Sequence, residues 1–394
     1  MLKSNPDLIY FDNGATTFKP QCVADAVNRF YTQETCNVHR GDYPLSAKVD
    51  GMYDGTRRTI AELIHCDPRE VVFTAGASAS LNQIAYGVGK AFLKAGDTVL
   101  LTEAEHASNL LPWFRMQDED GIKIEYIPLN KEGLADPEDV RRMMHPGVKA
   151  ISMAQVTNVL GTVQPIREIT KIAHEAGALM IVDGAQSVPH MRVDVKDLDI
   201  DFLGFSAHKM CGPSGVGVLY GKYDLLQKIP PLNLGGGSNA RFEACGSLLL
   251  KEAPDKFEAG TPNIEGVLGL DAAARYLMKV GLDNIHDYEL SLRKYFVGEL
   301  QKLDNIQLFN PTMQSGIVTF NGKDVFAQDA ASYLASQNVA VRSGNHCAKI
   351  LHEIIGTDAT VRASLYFYNT KEEVDKAVAA CSRISVENAI GIFF

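Results

Sequence analysis

Three stretches of the chain gather residue types that can do chemistry together. TAGASASLN (74–82) leaves an apolar run and enters a helix-period segment through Gly76, Ala77 and Ser78. Free backbone N–H groups, a helix dipole and a hydroxyl at one point suit a phosphate. The segment is not GxGxxG and lacks the lysine of a P-loop, and taken alone it fits an N-capped helix equally well. Asp183 closes the apolar run in ALMIVDGAQS, so its carboxylate is expected at the carboxyl end of a buried strand, the edge where open α/β sheets bind ligands. A surface-capping aspartate is the alternative. Lys209 lies in DFLGFSAHKMCGPSGVGVLYG between two apolar runs, beside Ser206 and His208. A lone lysine is as a rule a solvated charge. One embedded between buried strands loses hydration, its pKa falls, and its amine becomes available for a Schiff base. A phosphate cup, a strand-end aspartate and a buried lysine are the parts a pyridoxal 5′-phosphate (PLP) site requires. The lysine carries the cofactor and the aspartate keeps the pyridinium protonated, so that the ring acts as an electron sink. GGG at 235–237 is either a flexible turn or a close approach to a ligand.

Along the chain, short apolar runs alternate with amphipathic stretches. EVVFTAG, DTVLLTEA, KIEYIPL, KAISMAQV, ALMIVDGA, DFLGFSA and GVGVLYG read as strands, with SLNQIAYGVGKAFLKAG and REITKIAHEAG among the helices between them. Strands apolar on both faces and separated by helices imply a buried parallel or mixed sheet covered by helices. Beyond about residue 264 the pattern changes to long helices, then SGIVTFNG, NVAVRSG and TVRASLYFYN as strands and KEEVDKAVAACSRI as a late helix. The expected organisation is a large domain over 20–264 and a smaller α+β domain made of 1–19 with 265–394, the boundary falling near GTPNIEG.

Composition excludes several classes. At 394 residues, 46% hydrophobic and 22% charged, the chain is long and apolar enough for a large core, which rules out a disordered or collagen-like protein. A net charge of −10 argues against general nucleic-acid or anionic-membrane binding, which needs clustered Lys and Arg. The opening MLKSNPDLIYFDNGATT has no apolar signal core, and no apolar run reaches the about 18 residues of a membrane span. Seven cysteines, an odd and scattered set without CxxC, fit a reducing cytoplasm better than a disulfide scaffold.

The order of TAGASASLN, EHASNLLPW, QVTNVLGT, VDGAQS, FSAHKMCGPSGVGVLYG, FEAGTPN and RSGNHCA with VRASLYFYNTKEEVD closely resembles the cysteine desulfurases. It is most similar to the group II, SufS-type branch related to selenocysteine lyase, among the class-V aminotransferase PLP enzymes. FDNGATT and NVHRG look like the same family, and the resemblance runs from about residue 8 to 385.

The resemblance implies a fold type I (aspartate aminotransferase-like) homodimer that turns L-cysteine into L-alanine. Lys209 would carry PLP, Asp183 would pair with the pyridine nitrogen, and Gln186 would bond the phenolic oxygen. His106 would stack on the ring and shuttle protons. Gly76, Ala77, Ser78, Ser206 and His208 would surround the phosphate, and Thr261 would reach the phosphate of the other subunit. Asn158 and Arg362 would hold the substrate carboxylate, for which a planar guanidinium is suited, with Arg342 nearby. Cys347 in RSGNHCA would be the nucleophile that takes the sulfur as a persulfide. Arg342 and His346 are expected as cationic neighbours that favour its thiolate. A buried structural cysteine is the ordinary alternative. The resemblance further implies a SufE- or SufU-like acceptor feeding iron–sulfur assembly. His346, Cys347 and His352 lack a fourth ligand, so no metal is expected. The neighbouring readings are a selenocysteine lyase, a sulfinate lyase or an aminotransferase of the same class; a non-catalytic sulfur-assembly partner is a more distant one.

The chain departs from the pattern in two loops. Gly76-Ala77-Ser78 stands where the family often has Gly-Thr-Thr, which removes a hydroxyl from the phosphate loop. Gly344-Asn345-His346-Cys347 stands where it often has Gly-His-His-Cys, which removes one imidazole. Cys347 and Arg362 nevertheless keep the family's spacing.

Overall fold

The computed structural model describes residues 4–391. The largest sheet has seven strands: β1 (Val71–Thr74), β2 (Thr98–Thr102), β3 (Lys123–Ile127), β4 (Val148–Ala154), β5 (Leu179–Asp183), β6 (Phe202–Ser206) and β7 (Gly217–Gly221). Their spatial order is β1-β7-β6-β5-β4-β2-β3. β7 runs antiparallel to both neighbours and the other pairs are parallel. The inner strands are apolar and buried on both faces, as a sheet covered by helices demands. One side carries a core that includes Val182, Leu203 and Phe205, and the other a core that includes Leu81, Ile181 and Phe202.

Helices cover both faces of this sheet, four of them near the site. α1 (Pro44–Ile64) begins with proline at its first turn and ends at His65 in a left-handed conformation. α2 (Ala77–Phe92) starts at Gly76, whose φ of 147° is open to glycine and strained for other residues. α3 (Ala107–Asp120) is capped by His106, whose Nδ1 accepts the Ser108 N–H at 3.0 Å. α4 (Ile166–Glu175) buries Ile166, Ile169, Ile172 and Ala173, the one-sided spacing of an amphipathic helix.

A second sheet is antiparallel, in the order β8 (Ile306–Leu308), β9 (Ile317–Gly322), β11 (Thr360–Ser364), β10 (Arg342–Gly344). It packs with helices α6 (Leu282–Leu300) and α7 (Lys371–Cys381) around a separate core that includes Phe296, Phe320, Leu334 and Val374. The start of the chain lies against this body: Ile9–Tyr10 pairs parallel with Val339–Ala340, and Asp12 bridges to Ser364. Helix α5 (Ile264–Val280) begins at the expected boundary but buries Val267, Leu270, Ala273 and Leu277 in the core shared with α1 and the large sheet. Residues 1–3 and 392–394, assigned to the smaller domain from sequence, lie outside the described residues.

Candidate active site

The parallel strands β4, β5 and β6 end side by side, and their carboxyl edge forms the floor of a cavity of about 220 Å³. Asp183, the last residue of β5, is 5% exposed and accepts the Ala185 N–H at 2.9 Å. Burial raises its carboxyl above the usual range, while that N–H and the Lys209 charge pull it back. Lys209 follows β6 in a single tight turn, and its amine faces the same cavity. Burial pushes that amine down to about 8; Asp183 opposes the shift, and Arg362 and Arg342 reinforce it. Such an amine is deprotonated far more readily than a surface lysine, which is what a nucleophilic or basic lysine requires.

His106 forms a side wall. Burial and the charges of Lys209, Arg362 and Arg342 lower its pKa to about 4, so the ring is neutral near pH 7. Its Nδ1 is an acceptor, which assigns the remaining proton to Nε2. Gln186 donates Nε2 to the Gly14 carbonyl at 2.9 Å.

The opposite end of the cavity is an anion cradle. Ala77 N–H donates to Ser206 Oγ at 2.7 Å, and Ser78 Oγ meets Ser108 Oγ at 2.6 Å. The first turn of α2 thus stands beside two hydroxyls and the His208 side chain. Gly76 supports this turn without lining the cavity; a Cβ there would stand 3.4 Å from Ser206 Oγ.

A third wall comes from the second sheet. Arg342 and Arg362 are directly opposed across β10 and β11. Like charges in register are unfavourable unless an anion or a carboxylate sits between or beside them. Arg362 is 3% exposed, donates from Nη1 to the Asn158 carbonyl at 2.9 Å and reaches Asp12 Oδ1 at 3.4 Å. Burial draws its guanidinium below the usual value, and Asp12 opposes that. Asn158 Nδ2 donates to the His346 carbonyl at 2.7 Å. Cys347 is exposed and lines the cavity mouth, and its carbonyl accepts the Ala107 N–H at 2.7 Å.

One expectation about this loop is corrected. His346 is not a cation beside Cys347. Its Nε2 lies 3.1 Å from the Thr360 carbonyl and 3.0 Å from Thr360 Oγ1, and burial first, then Arg362, lowers its pKa to about 3. Arg342, the other expected neighbour, lines the same cavity as Cys347. His352 turns to the same hydroxyl at 3.2 Å, so the two imidazoles share a protein partner.

The cavity therefore gathers Ala77, Ser78, His106, Asn158, Asp183, Gln186, Ser206, His208, Lys209, Arg342, Cys347 and Arg362. Thr261 stays outside it, exposed, with its hydroxyl 3.3 Å from Asn37 Nδ2. Sequence reasoning assigned no role to Gly14, Ala15 or Ser108, which also line it. The available signal was their place in FDNGATT and EHASN, motifs dominated by small residues that offer backbone rather than side-chain chemistry.

PLP fits this donor set. The helix start and hydroxyls suit a phosphate, a buried carboxylate at a strand end suits a protonated pyridine nitrogen, and a depressed lysine suits its aldehyde. Unpaired buried atoms point the same way: among the described residues Gln186 Oε1, Asn158 Oδ1 and Arg362 Nε have no hydrogen-bond partner. Such groups are costly unless a ligand meets them.

Comparison with known proteins agrees with this geometry. The aminotransferase class-V family matches residues 9–377. A probable cysteine desulfurase of Halalkalibacterium halodurans is 42% identical over 369 residues, covering 93% of this chain and 91% of that one. A cysteine desulfurase of Haloferax volcanii is 41% identical over 377 residues, covering 95% and 88%. The apo structure of the cysteine desulfurase from Thermococcus onnurineus NA1 superposes with a TM-score of 0.93 at 38% identity, over 97% of this chain and 95% of that one. The chain belongs to the class-V aminotransferase family and, within it, to the cysteine desulfurases.

Proposed function

We propose that this PLP-dependent cysteine desulfurase takes sulfur from L-cysteine onto Cys347 and releases L-alanine. The observation that carries the reading is the convergence of Lys209, Asp183 and Cys347 on one cavity in a chain of this family. Bound PLP supplies an electron sink for the pair left when the substrate's α-proton departs. Lys209 Nζ would hold the cofactor's aldehyde carbon and, with its lowered pKa, is the group placed to take that proton. Asp183 would hold the pyridine nitrogen protonated, and the neutral His106 ring would wall one side of the bound cofactor. Gln186 would meet the phenolic oxygen. Ala77, Ser78, Ser206 and His208 would hold the phosphate, with Gly76 giving the turn its conformation. Arg362, with Arg342 and Asn158, receives the substrate carboxylate and so orients the Cβ–S bond toward Cys347.

The Cys347 thiolate attacks the substrate sulfur. An S–S bond forms, the C–S bond breaks, and its electron pair passes to the carbon skeleton, which is protonated and leaves as alanine. The persulfide stays on Cys347 at the cavity mouth.

A second thiol must then take the terminal sulfur. We infer a SufE- or SufU-type protein in iron–sulfur assembly as that acceptor, and the exposure of Cys347 supports it. A homodimer accounts for Thr261, exposed outside its own chain's cavity and so available to the partner's phosphate. The exposed Phe242, Leu248 and Leu249 on the hairpin of Asn239–Phe242 and Leu248–Leu250 also suit an interface. The domain division is 20–264 against 1–19 with 265–394, α5 docking the second on the first. Among the described residues no helix is long and apolar enough to cross a membrane, and we place the protein in the cytoplasm.

The test is alanine release from L-cysteine by the yellow holoenzyme with a reducing thiol, with C347A in parallel. Alanine from the wild type and none from C347A is the expected result. Equal alanine from both overturns the role of Cys347. Turnover of selenocysteine alone by the wild type overturns the substrate.

A further inference from the structure

Directly before His106 lies a fully buried carboxylate to which the mechanism above gives no role. Glu105, 0% exposed, sits in the turn between β2 and α3. Burial pushes its carboxyl up to about 7, against the pull of its own hydrogen bonds. It accepts from Thr102 Oγ1 at 2.6 Å, from Asn109 Nδ2 at 2.8 Å and from the Ala154 N–H at 2.8 Å. Asn109 Oδ1 in turn accepts from Ser152 Oγ at 2.7 Å. All three of Glu105's partners are neutral donors. A glutamate is almost never fully buried without a charged partner, because desolvating the group is costly. What it obtains here is geometry: one side chain ties the end of β2, the first turn of α3 and the end of β4 together.

The tied turn does two things at once. It presents His106 to the cavity, and its next residue, Ala107, donates its N–H to the Cys347 carbonyl at 2.7 Å. Ala154, the third partner, pairs in register with Asp183 across β4 and β5. The cofactor side and the nucleophile side of the cavity thus share one support.

We propose that Glu105 is a positioning residue for both halves of the reaction: by clamping the β2–α3 turn to β4 it sets where the His106 ring stands and, through the Ala107 N–H, how Cys347 is presented. This rests on the roles given above to His106 and Cys347.

The test uses holoenzyme and two readouts that need no turnover. One is the visible circular dichroism of bound PLP. The other is the rate of Cys347 alkylation by iodoacetamide, followed on its own peptide because Cys22 and Cys245 are also exposed. E105A is expected to change the cofactor dichroism and to alter the Cys347 rate by roughly three- to tenfold, the factor one or two lost hydrogen bonds carry. E105Q can keep all three contacts if its oxygen accepts from Asn109 Nδ2 and the Ala154 N–H while its amide NH2 donates to Thr102 Oγ1, and is expected to restore both readouts to within about twofold. A107P removes the N–H and puts the ring Cδ in its place, so the Cys347 carbonyl must move away. Ala107 is the first helical residue, and His106 before it has ψ 145°, a backbone that accepts a following proline. A107P is expected to move the Cys347 rate and leave the dichroism alone.

A folded E105A with both readouts at wild-type values overturns the proposal. So does an E105Q that departs as far as E105A, because the effect is then charge acting on Asp183 rather than position. If E105A fails to fold, T102V removes one donor at nearly constant shape. It should move both readouts in the same direction by less, and T102V with both unmoved overturns the proposal. Because neither readout uses cysteine, a wild type that releases no alanine defeats the desulfurase reading while leaving this test standing.

Discussion

On the cofactor side of the cavity, Asp183 ends a strand paired on both edges, with Lys209 one turn beyond the next strand. On the other side, Cys347 and His346 adopt left-handed φ values of 59° and 50°, a region non-glycine residues rarely enter. The first wall is held by continuous sheet pairing. The loop's backbone hangs on separate bonds, among them Ala107 N–H to Cys347 O and Asn158 Nδ2 to His346 O. Backbone strain of this kind persists only where surrounding contacts impose it. The contrast follows from the two tasks. An amine must be desolvated to lose its proton near neutrality, and Lys209 is half-buried in the cavity wall. A sulfur that is to leave for a second protein must reach solvent, so Cys347 is exposed.

The largest effects should divide along this line. K209A should lose the yellow band together with turnover, by roughly 10²–10⁴-fold or more, the scale of a removed proton-transfer group. C347A should keep the band and lose alanine release to assay background. Absorbance and alanine measured on the same two variants check it. A C347A that turns over normally, or a K209A that keeps a lysine-linked band, would break the division of labour.

Arg362 joins the two sides, reaching from β11 to the Asn158 carbonyl. R362K keeps the charge but loses the planar fork. Its KM for cysteine should rise by roughly 10- to 100-fold, the worth of a charge-assisted hydrogen bond, with a smaller change in kcat. Steady-state kinetics check this. A fall confined to kcat would move Arg362 from substrate binding to the nucleophile side.

Acid should expose the neutral histidines. His346 folds with a pKa of about 3 against an ordinary 6.5. Below pH 6.5 the unfolded chain takes up a proton that the folded loop refuses, so the stability this group contributes is complete above 6.5 and is lost as pH falls toward 3. His106, at about 4, acts in the same direction from the other wall. H346Q should therefore flatten the fall of Tm between pH 6.5 and 4 relative to wild type. An unchanged slope would show that His346 is not the group that acid titrates.

The cofactor wall was more legible in the sequence than the loop, for physical reasons. Apolar runs on both faces, ended by Asp183 or followed by Lys209, are local patterns, and the parallel strand pairing built on them is what the sequence suggested. The neutral state of His346 was not legible, because it depends on Thr360, fourteen residues away on a neighbouring strand. Glu105 escaped notice for a similar reason: in EHASN it looks like an ordinary charged residue, and only the arrival of Ala154 from β4 shows that it is enclosed. The packing of α5 on the larger core was hidden as well, since an amphipathic pattern does not name the body it faces.

The smallest effect concerns the cradle alone. Ala77 is 8% exposed, lines the cavity and sits at the first position of α2, where the family often carries threonine. Its N–H already donates to Ser206 Oγ, so the backbone of the cradle is in place without the extra hydroxyl. A77T adds one donor beside the phosphate and should slow PLP release by roughly two- to tenfold, the range of a single net hydrogen bond. Dissociation followed by the loss of the visible band checks this, with Cys347 alkylation measured alongside. Slower release with an unmoved alkylation rate confines the added bond to the cofactor wall. Unchanged release means that the helix start and the two serines already saturate the phosphate, and the missing hydroxyl is then a substitution the cradle tolerates.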